Sequence, residues 1–168
     1  MSLWTGLIIF FAALVAMEGV AYAAHRWLMH GPGWFLHKSH HRARSGALEA
    51  NDWYAALFAL PSLALFLLAG RYGEALWWIG AGTAAYGLIY ALFHDIIVHK
   101  RIAHRHVPRA PYMKRIVQAH RLHHAVETRQ GAVSFGFLWA PRPQVLKTQL
   151  RGKGGPARAF SPKGEATP

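Results

Sequence analysis

Three long apolar stretches limit what this chain can fold into. Leu3 to Ala24 runs for 22 residues with Glu18 as its only ionisable side chain. At 1.5 Å per residue this is about 33 Å of helix, enough to cross a bilayer core of roughly 30 Å. Trp53 to Gly70 adds 18 residues and Ala75 to Phe93 adds 19, all uncharged and separated only by Arg71-Tyr72-Gly73-Glu74. That pair reads as a hairpin. Three such segments in 168 residues leave too little polar sequence to wrap them as buried helices of a soluble domain. The expected fold is therefore all-α and integral to a membrane, with about three transmembrane helices over 3–24, 53–70 and 75–93. Ala21-Tyr22-Ala23 resembles a signal-peptidase site, but Met1-Ser2-Leu3 lacks the charged side chain that opens a signal peptide.

Histidine supplies the chemistry. The chain reads His25-Arg-Trp-Leu-Met-His30, then His37-Lys-Ser-His40-His41, and repeats the order as His94-Asp-Ile-Ile-Val-His99 and His120-Arg-Leu-His123-His124. Ten of the twelve histidines fall in these four boxes. Imidazole is the commonest metal ligand, and the HxxHH spacing puts ligands at i, i+3 and i+4, on one helical face. The HxxxxH boxes fit less easily. Residues i and i+5 stand about 140° apart on an α-helix, so a straight helix cannot aim both rings at one point. A centre between two metals, or a helix that breaks inside the box, would remove the difficulty. Gly31-Pro32-Gly33 would end the first helix and turn His37 to His41 back toward His25. A single ion has too few coordination positions for ten imidazoles, so the set suits two. No cysteine is present, which excludes thiolate ligands and a protein-bound iron–sulfur cluster.

Charge gives an orientation. Of the 19 Lys and Arg only Arg71 lies in the hairpin loop; the rest sit at Arg26, in Lys38 to Arg44, or after Phe93. By the positive-inside rule those regions are cytoplasmic. With three spans, all four boxes and the C-terminus then share the cytosolic side of the membrane, where the boxes form a helical cap. The net charge of +12 is explained by the anionic inner leaflet, without any nucleic-acid-binding motif. It could also attract an acidic redox carrier.

Individual residues extend this outline. Glu18, Tyr22 and His25 share one stripe at i, i+4 and i+7, so Glu18 and Tyr22 are candidates to support a ligand imidazole, with an interfacial acid as the alternative for Glu18. Asp95 beside His94 is a further candidate, and Asn51-Asp52 a weaker one that could instead cap a helix. His104 and His106 belong to no box and sit in a basic run. Gly80, Ala84, Gly87 and Ala91 form a stripe of small residues suited to close helix packing, and Pro61 should kink its span. Residues 1–150 read as one membrane domain, and 151–168, with four Gly and three Pro, as a disordered basic tail.

The order of the boxes resembles the membrane fatty acid hydroxylase and desaturase superfamily. A closer resemblance, to the bacterial β-carotene hydroxylases, rests on Met17-Glu18, His25 to His30, His37 to His41, Asn51-Asp52-Trp53-Tyr54, His94-Asp95 through His99-Lys-Arg101, Gln118 to Glu127 and Val133-Ser-Phe-Gly-Phe137. It implies a non-haem di-iron monooxygenase. Two iron ions would be held by His25, His30, His37, His40, His41, His94, His99, His120, His123 and His124. Dioxygen would be the co-substrate, C3 of a β-ionone ring the position hydroxylated, and a ferredoxin-like carrier the electron donor. A fatty acyl or sterol oxygenase of the same superfamily is the nearest alternative. A metal transporter is the alternative from another class, though transporters place their ligands along a path near mid-membrane, whereas every box here lies at or beyond a span end.

Overall fold

The computed structural model describes residues 1–43 and 46–155. Among them there are helices and turns and no strand. The stretch from 156 onward, most of the expected tail, lies outside the described residues.

Helix α1 (Leu3–Ala23) starts at Ser2, whose Oγ accepts from the Thr5 amide at 3.2 Å. It runs without a break into a wider turn, Ala24–Met29. After the short α2 (Trp34–His37) and a tight turn at Ala50–Asp52, α3 (Trp53–Tyr72) and α4 (Glu74–Tyr90) form the hairpin. Only Gly73 separates them, and its φ of 117° is a conformation that glycine adopts readily and L side chains rarely do. A second wide turn, Ala91–Val98, continues α4. Helices α5 (Pro111–His124) and α6 (Pro143–Gly152) both begin with proline, which suits a first helical position because no hydrogen bond is lost there.

Three continuous helical stretches, Leu3–Met29, Ala50–Tyr72 and Glu74–Val98, are long and apolar enough to cross a membrane. Many of their large side chains point outward: Trp4, Ile8 and Val15 on α1 and Leu60 and Leu67 on α3 are exposed. That arrangement suits lipid as the surrounding solvent.

Helix α4 lies between α1 and α3 and uses two glycines to do so. Gly82 lets the backbone of α1 approach at Phe10 and Leu14. Gly80 does the same for α3, where Ser62 Oγ donates to the Gly80 carbonyl at 2.8 Å. The small-residue stripe expected from the sequence is thus only partly a contact: nothing would meet a side chain at Gly87, and Ala91 is exposed. Pro61 sits inside a continuous α3. The Met1 amine pairs with Glu74 at 2.9 Å, joining the start of α1 to the hairpin turn at the end of the bundle away from the histidines.

The cap has its own apolar core. Ile116, Ala119 and Leu122 of α5 pack with Leu146 and Leu150 of α6 and with Val133, Phe135 and Phe137 of the connecting segment. Leu146 and Leu150 are fully enclosed, so truncating either to alanine would cost ~2–5 kcal/mol. This core holds α5, and with it the last histidine box, against the end of α4 and its extension, where Tyr90, Phe93 and Val98 pack on it.

Candidate metal centre

Both HxxxxH boxes lie on the wide turns. The His30 amide donates to the His25 carbonyl at 3.0 Å, and the His99 amide to the His94 carbonyl at 2.9 Å. These are i to i+5 bonds, the π-type turn that is frequent at functional sites. Each helix therefore widens inside the box, where the sequence left open either a break or a centre between two metals. The added residue per turn brings both rings of a box to the same side. Gly31 then ends the first helix: its amide reaches the Leu28 carbonyl at 3.1 Å, and a Cβ there would overlap the Trp27 carbonyl. The chain reverses, and His37 Nε2 returns to 3.2 Å from His25 Nε2.

The ten box histidines gather into two groups of five. His25, His30, His37, His41 and His123 form one; His40, His94, His99, His120 and His124 form the other, with the ligand atoms of each group within 4.8 Å of one another. Each group takes one whole HxxxxH box, the i and i+4 members of one HxxHH box, and the middle member of the other. His41 and His123 thus meet at 3.1 Å in the first group, and His40 and His94 at 3.1 Å in the second.

The outward nitrogens fix what the inward ones can do. In the first group every Nδ1 faces an oxygen: His25 the Phe135 carbonyl at 2.9 Å, His30 the Arg129 carbonyl at 2.9 Å, and His37 the Asn51 amide oxygen at 2.7 Å. His41 faces the Val126 carbonyl at 2.8 Å and His123 the Val133 carbonyl at 2.9 Å. Such acceptors place the proton on Nδ1, which leaves five Nε2 lone pairs converging with no donor among them. In the second group, His124 Nε2 is buried without a hydrogen-bond partner. Converging lone pairs repel each other unless a cation stands between them, so this donor set fits a metal ion in each group. All-imidazole ligation suits zinc, iron, copper and nickel.

Burial keeps the rings neutral and thus able to ligate. It lowers His37 and His99 to about 4 and His41 to about 3, with neighbouring imidazoles adding to the effect at His37 and His41. His40, His120, His123 and His124 are driven well below the ordinary imidazole value by the same burial and by neighbouring imidazoles.

The other candidates divide. Asp95 Oδ1 stands 2.7 Å from His94 Nδ1, and Asn51 supports His37 as above. Asp52 accepts from the Glu49 amide and pairs with Arg101 at 2.7 Å. Glu18 does not reach His25. Its Oε1 accepts from the amides of Phe137 at 2.7 Å and Trp139 at 2.9 Å, and its Oε2 from the Tyr86 hydroxyl at 2.7 Å. His25 has turned away on the wide turn toward Phe135, leaving Glu18 to fasten the 133–139 segment. Tyr22 packs edge-on against Phe135 and Trp27 and so touches the site through an aromatic ring. His104 Nε2 meets the Ile96 carbonyl at 2.7 Å, outside both groups, with His106 beside it.

Sequence reasoning missed Glu49, whose Oε2 lies 3.2 Å from His40 Nδ1; its place three residues before Asp52, in a reciprocal cap, was the available signal. It also gave Ser134 no role beyond its place in the Val133-Ser-Phe-Gly-Phe137 stretch. Ser134 has φ of 61°, and its left-handed turn directs the carbonyls on either side, Val133 and Phe135, at His123 and His25. Non-glycine residues seldom adopt this conformation, and it recurs at functional sites. A cavity of about 1060 Å³ opens between α1 and this segment, lined by Leu14, Val15, Tyr22, Leu138 and Trp139. Phe135 closes it toward the first histidine group, its ring 5.2 Å from His30 and 5.6 Å from His25.

Residues 10–142 match the fatty acid hydroxylase family. The chain is 48% identical over 151 residues to a protein named beta-carotene hydroxylase from Paracoccus sp. (strain PC1), covering 89% of this chain and 93% of that one. Another of that name, from Pantoea ananas, is 48% identical over 94% of this chain and 89% of its own length. A chloroplastic beta-carotene 3-hydroxylase from Haematococcus lacustris is 37% identical over 81% of this chain and 44% of its own. No solved structure matches.

Proposed function

The chain belongs to the fatty acid hydroxylase family, and from that premise we propose that it is a carotenoid monooxygenase acting on C3 of the β-ionone ring. β-Carotene would be converted to β-cryptoxanthin and then to zeaxanthin. The observation that carries this reading is the pair of five-histidine groups, in a chain whose bacterial relatives of nearly equal length are named for β-carotene hydroxylation.

In each turnover one ring C–H becomes C–OH and the second oxygen atom leaves as water, with uptake of two electrons and two protons. Two iron ions, held by the two groups of imidazoles, would supply the reductive activation of dioxygen. The residues of the chain hold and shield that centre. Neutral Nε2 atoms face inward, the Nδ1 partners prevent the rings from rotating, and burial keeps bulk water from the reacting position. Electrons would come from a separate, ferredoxin-like carrier, a reading supported by the lack in this sequence of cysteine for a cluster and of a dinucleotide-binding fingerprint. The substrate dissolves in lipid, so entry is sideways from the bilayer. The excess of Lys and Arg on the histidine side supports an inner-membrane orientation with the cap in the cytoplasm.

Membranes containing the protein, supplied with β-carotene, dioxygen and a reducing system, test the reading. Hydroxylated rings should form and an iron chelator should stop their formation. Turnover that persists when iron is fully removed would contradict it.

A further inference from the structure

The two histidine groups hold equal numbers of imidazoles but are backed by different charges. All five outward nitrogens of the His25 group meet neutral oxygens: four backbone carbonyls and the Asn51 amide. In the His94 group, two meet carboxylates: His40 faces Glu49 at 3.2 Å and His94 faces Asp95 at 2.7 Å. Both carboxylates are held in place. Glu49 shares a reciprocal cap with Asp52, and Arg101 bridges Asp52 at 2.7 Å and Asp95 at 3.9 Å. The turn at Glu49–Asp52 thus reaches both groups, with a neutral amide for one and a charge for the other.

A carboxylate accepting from Nδ1–H draws that proton away and increases the electron density at Nε2, which makes the imidazole a stronger donor. A carbonyl does so less. We propose that Glu49 and Asp95 make the His40, His94, His99, His120 and His124 position the electron-rich one of the pair. It binds its ion more tightly. When an external one-electron donor reduces a diferric pair by one electron, the Fe(III) that becomes Fe(II) is the one in the His25 group, and the His94 group retains Fe(III). The inference takes from the proposed function only that the two groups hold iron.

Anaerobic titration of the metal-stripped, full-length protein in detergent with Fe(II) tests this. Two binding steps are expected. Glu49→Gln, which keeps an oxygen for His40 but removes the charge, should weaken the tighter step about 10- to 100-fold, as should Asp95→Asn. Asn51→Asp adds a carboxylate behind His37 and should strengthen the weaker step, drawing the two together. After reduction by one electron per pair with dithionite, Mössbauer spectra of Glu49→Gln should show a changed ferric component and an unchanged ferrous one. Loss confined to the weaker step in Glu49→Gln, or a change confined to the ferrous component, would overturn the proposal. Two irons bound as described, with carotenoids left untouched, would overturn the proposed function and not this inference.

Discussion

His123 and His41 bring their Nε2 atoms to 3.1 Å across 82 residues of sequence, while the neighbour of each, His124 and His40, belongs to the other group. The two HxxHH boxes therefore exchange their middle members, and neither metal position can be completed by one half of the chain. His123→Ala should remove metal from the first position and His40→Ala from the second. Metal analysis of each purified variant should show about half the wild-type content, with turnover abolished. Alanine at His104 or His106 should leave most of both. Equal metal loss in His106→Ala would add a ligand that the geometry does not include.

The wide turns can be tested separately. Deleting Leu28 would restore α-helical spacing between the two histidines of the first box, rotating His30 by about 100° from its position. Metal content of the first position should fall, while insertion of α1, measured by protease protection, should be unchanged. Full metal content after the deletion would show that the i to i+5 turn at His25–His30 is dispensable.

Glu18 acts at one remove from the metal. It receives two backbone amides and the Tyr86 hydroxyl, and so holds the segment whose carbonyls at Val133 and Phe135 orient His123 and His25. Hydrogen bonds to a carboxylate contribute ~1.5–3 kcal/mol each, so Glu18→Ala should lower the melting temperature and weaken metal binding in the first position. Glu18→Gln, which still accepts, should fall between. A variant with reduced melting temperature but wild-type affinity in both positions would separate the segment from the ligands.

Orientation can be tested without reference to chemistry. A reporter active only outside the cytoplasm should work when inserted between Arg71 and Glu74, and fail after Lys100 or within Lys38 to Arg44. Activity at Lys100 would place the cap on the outer face.

The spans could be read directly from the sequence because lipid imposes a simple demand, a long run without charge, and Leu3–Met29, Ala50–Tyr72 and Glu74–Val98 meet it. Their extensions past the expected ends at Ala24 and Phe93 carry the HxxxxH boxes. The boxes themselves were equally plain. Their division between two groups was not, because it depends on a turn of five residues and on which way His40, in the turn after α2, and His123, on α5, face, and neither has a side-chain signature. Most oxygens behind the first group are backbone carbonyls, which any residue supplies, so the roles of Arg129, Val126 and Val133 carry no side-chain signal, although the last two lie in stretches that carry the family resemblance. Glu18 misled for a related reason: helical spacing aligned it with His25, but the donors it meets come from residues 86, 137 and 139, far along the chain.

On the proposed function, the crossed histidine groups form one oxygen-activating centre for a carotenoid ring. Cells that accumulate β-carotene, express this chain and grow under isotopically labelled dioxygen give the sharpest test. β-Cryptoxanthin and zeaxanthin should appear with the label in the new hydroxyl, and cells expressing His123→Ala should keep their β-carotene. Unchanged β-carotene in cells that insert and metallate the wild-type protein, with a new hydroxyl or double bond in the membrane fatty acids, would contradict that function.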